Sequence, residues 1–166
     1  MDDRTEGGRL DQLDHSAGRW IAALYRSRKG YVNRRLEPFG IGSGQFIFLM
    51  ALYWKGGLSQ ERISDYLKID KTTTAKVLKK LEIGGFVVRE TDRTDRRTYK
   101  IYLTQKAQDL MPVILETVRQ WEDSVKAGIP EDKIRTLESV LYKMALNADR
   151  IARLDSKPVG PTDTST

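Results

Sequence analysis

Residues 59 to 85 read Ser59-Gln60-Glu61-Arg62-Ile63-Ser64-Asp65-Tyr66-Leu67-Lys68-Ile69-Asp70-Lys71-Thr72-Thr73-Thr74-Ala75-Lys76-Val77-Leu78-Lys79-Lys80-Leu81-Glu82-Ile83-Gly84-Gly85. Two of them have the chemistry of helix N-caps. Ser59 is placed to cap a short helix through Leu67, with Ile63 and Leu67 one turn apart on one face. Asp70 is placed to accept from the free amides that open a second helix, ending near Ile83. Val77, Leu78 and Leu81 form the buried side of that helix, while Lys71, Lys76, Lys79 and Lys80 face elsewhere. Gly84-Gly85 ends it where a left-handed backbone is wanted. The reading is a helix-turn-helix with one apolar and one basic side.

Downstream the period changes from helical to alternating. Phe86-Val87-Val88-Arg89-Glu90 reads as one strand and Thr98-Tyr99-Lys100-Ile101-Tyr102-Leu103 as its partner. Between them, Thr91-Asp92-Arg93-Thr94-Asp95-Arg96-Arg97 forms a hairpin tip with three arginines and two aspartates. Thr104 caps a further helix with Leu110, Ile114, Val118, Trp121 and Val125 on one face; Pro112 near its start allows a local bend, and Gly128-Ile129-Pro130 breaks it. The last helix carries Ile134, Leu137, Leu141, Met144, Ala148 and Ile151 at alternating spacings of 3 and 4, the seam of a helix that packs along another helix.

Upstream, Leu10, Leu13, Ala17, Trp20, Leu24 and Tyr31 mark a helix over residues 10 to 36, closed by Pro38 and the glycines of Gly40-Ile41-Gly42-Ser43-Gly44. The apolar run to Trp54 reads as a helix buried on every side, capped by Gly42 or Ser43 and closed by Gly56-Gly57. Nine consecutive apolar residues, Phe46 to Trp54, are too few to span a bilayer. The acidic amino terminus lacks the apolar core of a signal peptide, and the reading is a cytoplasmic protein with no membrane partner.

Composition narrows the chemistry. The 166 residues contain no cysteine and one histidine, His15. Disulfides, thiolate nucleophiles, thiol redox sensing, cysteine-ligated zinc and multi-histidine metal sites are thereby excluded, and no cofactor is expected. No convergent nucleophile and base is visible, so the chain does not read as an enzyme. The net charge is +6, and its location matters more than its size. Residues 55 to 103 hold twelve basic against seven acidic side chains, a net of +5, while residues 104 to 166 are at −1. A basic segment in an otherwise balanced chain suits phosphate binding. Three other signals are set aside. Gly40 to Gly44 lacks the third glycine of a dinucleotide loop, since Gln45 stands there, and it reads as a helix-to-helix turn. His15 beside Asp11 and Asp14 reads as a surface charge pair. Trp20, Tyr25, Tyr53 and Trp54 sit at helical spacing and read as core packing.

The stretch from Leu58 to Thr104 resembles the MarR family of transcription regulators. The resemblance rests on Leu58 to Leu67, Ile69-Asp70-Lys71-Thr72-Thr73, Leu81 to Val87, and above all Asp92-Arg93-Thr94-Asp95-Arg96-Arg97 followed by Leu103-Thr104. With the flanking helices it covers residues 10 to 153. The expected fold is mainly α with a small β-hairpin wing, a winged helix-turn-helix flanked by long dimerisation helices. Residues 1–9 are expected to be a flexible amino terminus and 155–166 a disordered tail. Residues 10–54 and 104–154 are expected to form the helical dimerisation region, and 55–103 the DNA-binding domain.

A helix of this kind fits the major groove with its amino-terminal residues at base edges. That assigns Lys71, Thr72, Thr73, Ala75, Lys76 and Lys80 to the recognition helix, and Ser59 and Gln60 to the start of the helix before it. The family often has valine, a hydroxyl residue and arginine where this chain has Thr74, Ala75 and Lys76. Thr74 is close enough in shape to valine to be buried, and Lys76 lacks the bidentate guanine fork of arginine. By match to the family's wing, Arg97 is expected in the minor groove, braced by Asp95, with Arg93 and Arg96 on phosphates. The resemblance implies a homodimer through Leu13, Ala17, Trp121, Leu137, Leu141, Met144, Ala148 and Ile151. It further implies double-stranded DNA as partner, a pseudo-palindromic operator, and release by a small phenolic or anionic effector whose ligand residues are unknown. Repression is expected, with activation left open. The rival reading is a helical protein-interaction scaffold with a solvated basic surface.

Overall fold

The computed structural model describes residues 16–42, 44–91 and 98–155. Among them α1 (Ala17–Leu36) leads through a 3-10 turn (Glu37–Phe39) to α2 (Phe46–Lys55), α3 (Gln60–Leu67) and α4 (Lys71–Ile83). Strands β1 (Val87–Thr91) and β2 (Tyr99–Leu103) follow, then α5 (Gln105–Lys126) and α6 (Glu131–Asp155). This is the mainly α architecture with a β-hairpin wing that the sequence predicts. The chain divides into two compact units, with Asp123 the last residue of the first and Ser124 the first of the second.

The first unit is organised around one apolar cluster. Val32 and Leu36 of α1, Phe48, Leu49 and Leu52 of α2, and Ile63 of α3 meet Leu78 and Leu81 of α4. Ile101 of β2 and Met111, Ile114 and Val118 of α5 complete it. Each such side chain contributes on the order of 1.5–3 kcal/mol when removed from water. α2 gives four of its ten residues to this cluster, Phe46, Phe48, Leu49 and Leu52, because its run is apolar on nearly every face. It packs on α3 and β2, but Tyr53 and Trp54 in its last turn are exposed, Trp54 at 64%. The expectation of a helix buried on every side therefore fails at its carboxyl-terminal turn. Trp20 and Tyr25 of α1 are exposed as well, so none of these four aromatics packs in the core of the single chain.

The turn before α2 also differs from expectation. Its N-cap is Gln45, whose side-chain Oε1 accepts from the Gly42 N–H at 2.7 Å, rather than Gly42 or Ser43. Gly44, at φ +76°, supplies the left-handed step that turns Gln45 back on the loop. Ser43 lies outside the described residues, and so do residues 1–15 and 156–166.

The hairpin is antiparallel, with Val87 opposite Leu103, Arg89 opposite Ile101 and Thr91 opposite Tyr99. Leu58, on the connection from α2 to α3, adds a third short rung through reciprocal main-chain bonds with Ile101 of 3.3 and 2.9 Å. Pro112 lies within α5, which continues as α-helix on both sides of it. In the second unit, Glu131 and Asp132 stand at the positive end of α6, and Lys126 bonds Glu138 at 3.1 Å.

Candidate nucleic-acid interface

Both predicted caps form. Ser59 Oγ accepts from the Arg62 N–H at 3.3 Å, and Asp70 Oδ1 accepts from the Thr73 N–H at 2.8 Å. The second bond holds the Asp70 carboxyl below its ordinary value. Between the helices Lys68 takes the left-handed conformation at φ +55°. The Ser64 hydroxyl donates to the Ile69 carbonyl, and the Ile69 N–H donates to the Ser64 carbonyl at 3.1 Å. Ser64 is buried, so these two bonds pin the turn and fix the angle between α3 and α4.

α4 is two-sided. Thr74, Leu78 and Leu81 are buried, with Val77 partly so. Lys71, Thr72, Thr73, Lys76 and Lys80 are exposed on the other side, and Ala75 is half-buried at the boundary. Thr74 is fully buried, as its resemblance to valine in shape suggests, but among the described residues its Oγ1 has no hydrogen-bond partner. The helix closes at Gly85, which adopts φ +72°. The Lys106 ammonium from α5 donates to the Gly84 carbonyl at 2.8 Å and lies 4.1 Å over the Phe86 ring, tying the end of α4 to α5.

Ser59 and Gln60 are half-buried, and they share a cleft with Glu61, Arg89 and Tyr99. This cleft of about 340 Å³ separates the start of α3 from the hairpin stem. Glu61 was not among the sequence candidates, yet it meets Lys71 at 2.6 Å. Arg89 was also missed; its Nε lies 3.3 Å from Glu82 Oε2, linking β1 to the last turn of α4. No local pattern marks either residue, because each partner lies on another element. The wing residues Arg93, Asp95, Arg96 and Arg97 lie outside the described residues, whose hairpin stem ends at the Thr91–Tyr99 pair.

The residues assigned to dimerisation fall in both units. Leu13 lies outside the described residues. Ala17 is exposed; Trp121 is half-buried, and its indole N–H donates to Ser27 Oγ at 3.4 Å. On α6, Leu137, Met144, Ala148 and Ile151 are exposed and Leu141 is half-buried, whereas Ile134 at the start of the same seam is buried. Among the described residues no group of three His, Cys, Asp or Glu is placed to hold a metal ion. No helix among them is long and apolar enough to cross a membrane.

Residues 39–98 match the sequence model of the MarR family. The chain is 31% identical over 114 residues to the HTH-type transcriptional regulator YwoH of Bacillus subtilis, covering 69% of this chain and 82% of that one. It is 41% identical to a MarR transcriptional regulator from Methanosarcina mazei, with a TM-score of 0.72 over 81% of this chain and 96% of the other. A MarR-family regulator from Listeria monocytogenes, solved in complex with 26mer DNA, is 26% identical with a TM-score of 0.79 over 86% and 96% of the two chains.

Proposed function

The chain belongs to the MarR family of transcriptional regulators, DNA-binding proteins rather than enzymes, and on that premise we propose that it is a homodimeric repressor of a pseudo-palindromic operator. The observation that carries this reading is the construction of α4. Thr74, Leu78 and Leu81 fasten one face to the core, and Lys71, Thr72, Thr73, Lys76 and Lys80 are left clear on the other. Threonine hydroxyls reach base edges or phosphates, and the lysines supply point charges that release counterions from the duplex. Ser59 and Gln60 approach the backbone from the start of α3. In this reading Arg97, braced by Asp95, enters the minor groove, and Arg93 and Arg96 rest on phosphates.

Two copies joined through the apolar faces of α1 and α6 present their recognition helices about one duplex turn, roughly 34 Å, apart. A small phenolic or anionic effector then releases the operator by favouring a different separation of the two helices. Support for a ligand is the cleft of about 480 Å³ lined by Arg35, Pro112, Val113, Glu116, Thr117 and Gln120, which sets a cation, a carboxylate and two neutral polar side chains beside an apolar patch. The site of action is the cytoplasm, where such an operator resides.

The test is anisotropy titration of the DNA upstream of the gene at increasing salt. The expected result is a steep linear fall of log affinity with log salt, about 0.9 per phosphate neutralised. Lys76→Gln and Arg97→Ala each weaken binding with little loss of stability. Failure to bind any duplex at low salt overturns the reading.

A further inference from the structure

As a recognition-helix lysine, Lys71 is expected to be a free point charge for DNA, but the structure gives it a partner. Its Nζ donates to Glu61 Oε1 at 2.6 Å, across the turn that joins α3 to α4. Both side chains stand largely in solvent, at 69% and 66% exposure. The hydrogen bond and the charge attraction together lower the Glu61 carboxyl and raise the Lys71 ammonium, so the pair stays fully charged. Asp65 adds a weaker attraction for Lys71, and the Asp70 carboxylate caps the same helix end. Three carboxylates thus attend the end of α4 that is expected to enter the groove.

An exposed ion pair of this kind contributes little to folding. Its consequence falls on what approaches α4. A phosphate that recruits Lys71 has to draw it away from Glu61, and the carboxylate is then left unpaired beside a polyanion. Coulomb repulsion at that short range opposes every duplex that offers Lys71 nothing better than a phosphate. Selectivity in binding commonly comes from such a repulsive element that penalises the wrong partner.

We infer that Glu61 is a specificity-determining residue of the DNA interface: by holding the Lys71 ammonium it suppresses binding to arbitrary duplex more than binding to the operator. The inference rests on the DNA-binding reading above and adds to it a side chain that acts against generic affinity. Lys76, Lys79 and Lys80 of the same helix are exposed and keep their general attraction for phosphate.

Glu61→Gln preserves size and an acceptor oxygen but removes the charge. Wild type, Glu61→Gln, Lys71→Gln and the double variant are titrated against an arbitrary-sequence duplex of about three helical turns, and against the gene's own upstream DNA. Glu61→Gln is expected to bind the arbitrary duplex roughly tenfold tighter, and its salt slope to steepen by about 0.9 for each lysine released. The upstream DNA gains less, so the ratio of the two affinities falls. In the Lys71→Gln background the gain disappears. An unchanged salt slope, an unchanged affinity ratio, or a gain that persists without Lys71 overturns the inference. A wild type that binds no duplex fails the DNA reading itself, which is distinct from a wild type that binds and a variant that matches it.

Discussion

The Thr104 hydroxyl donates to the carbonyl oxygen of Gly85 at 2.7 Å while accepting from the Ala107 N–H at 3.3 Å. One side chain thus opens α5 and receives the chain that leaves α4. The main chain repeats the tie, since the Thr104 N–H donates to the Phe86 carbonyl at 3.0 Å. Thr104→Val keeps the shape and loses both side-chain bonds. Urea unfolding is expected to show a loss of about 1–2 kcal/mol, the range for removing a helix cap. Thr104→Ser should recover most of it; an unaffected valine variant removes Thr104 from its capping role.

Thr74 sits fully buried on the inner face of α4, with its Oγ1 unpartnered among the described residues. A buried hydroxyl without a partner costs about 1–3 kcal/mol of desolvation. Thr74→Val fills the same space without that cost, so it should raise the urea midpoint. The exposed face of α4 is unchanged, and DNA affinity should stay within twofold at fixed salt. A lower midpoint in the valine variant would show that the hydroxyl has a partner after all.

Glu116 accepts from both Arg119 Nε and Nη2, at 2.8 and 2.7 Å, and from Gln120 at 2.8 Å. The Arg119 bonds, with Gln120 second, lower its carboxyl from 4.5 to about 2. A carboxyl depressed in the folded state adds stability above its unfolded value and loses it as pH falls through the folded one. Wild type should therefore exceed Glu116→Gln in thermal midpoint at neutral pH, and the gap should close between pH 4.5 and about 2. Both groups are exposed and the gap is small; a constant offset across that window would assign the difference to something other than titration.

Leu141 and Met144 lie on the open face of α6, with Leu137 and Ile151 at 48% and 60% exposure on the same seam. Each buried leucine or methionine contributes about 1.5–3 kcal/mol. The paired change Leu141→Glu and Met144→Glu should turn a dimer into a monomer in sedimentation equilibrium. Operator affinity should fall by several orders of magnitude while a half-site keeps weak binding. A double variant that remains dimeric moves the interface elsewhere.

The recognition unit was legible because its information is local. Ser59 and Asp70 announce their helices by hydroxyl and carboxylate, and the change of period at Phe86 announces the hairpin. What escaped depends on partners remote in sequence or on unusual backbone. Lys68 takes a left-handed conformation that its side chain does not advertise, since glycine or asparagine is the usual signal. The Glu61–Lys71 pair spans ten residues and one turn, and neither residue is out of place on its own helix. Hydrophobicity misled at Trp20, Tyr25, Tyr53 and Trp54, because periodicity marks an apolar face without saying whether the same chain or another covers it. The family's arginine tip, the most specific signal in the sequence, falls outside the described residues.

Leu58 and Ile101 are joined by two main-chain bonds, and a Cβ on the neighbouring Gly57 would meet the Tyr102 ring at 2.1 Å. The strap from α2 into α3 is thereby stitched to the stem of the hairpin, and the stem is stitched through Thr104 to the end of α4. A lever fixed at both ends has no pivot of its own. A displacement of the hairpin stem therefore strains the bonds that hold both the strap and the end of α4. On the DNA-binding reading proposed above, a mutation that loosens the strap is expected to weaken operator binding while leaving the exposed face of α4 unaltered.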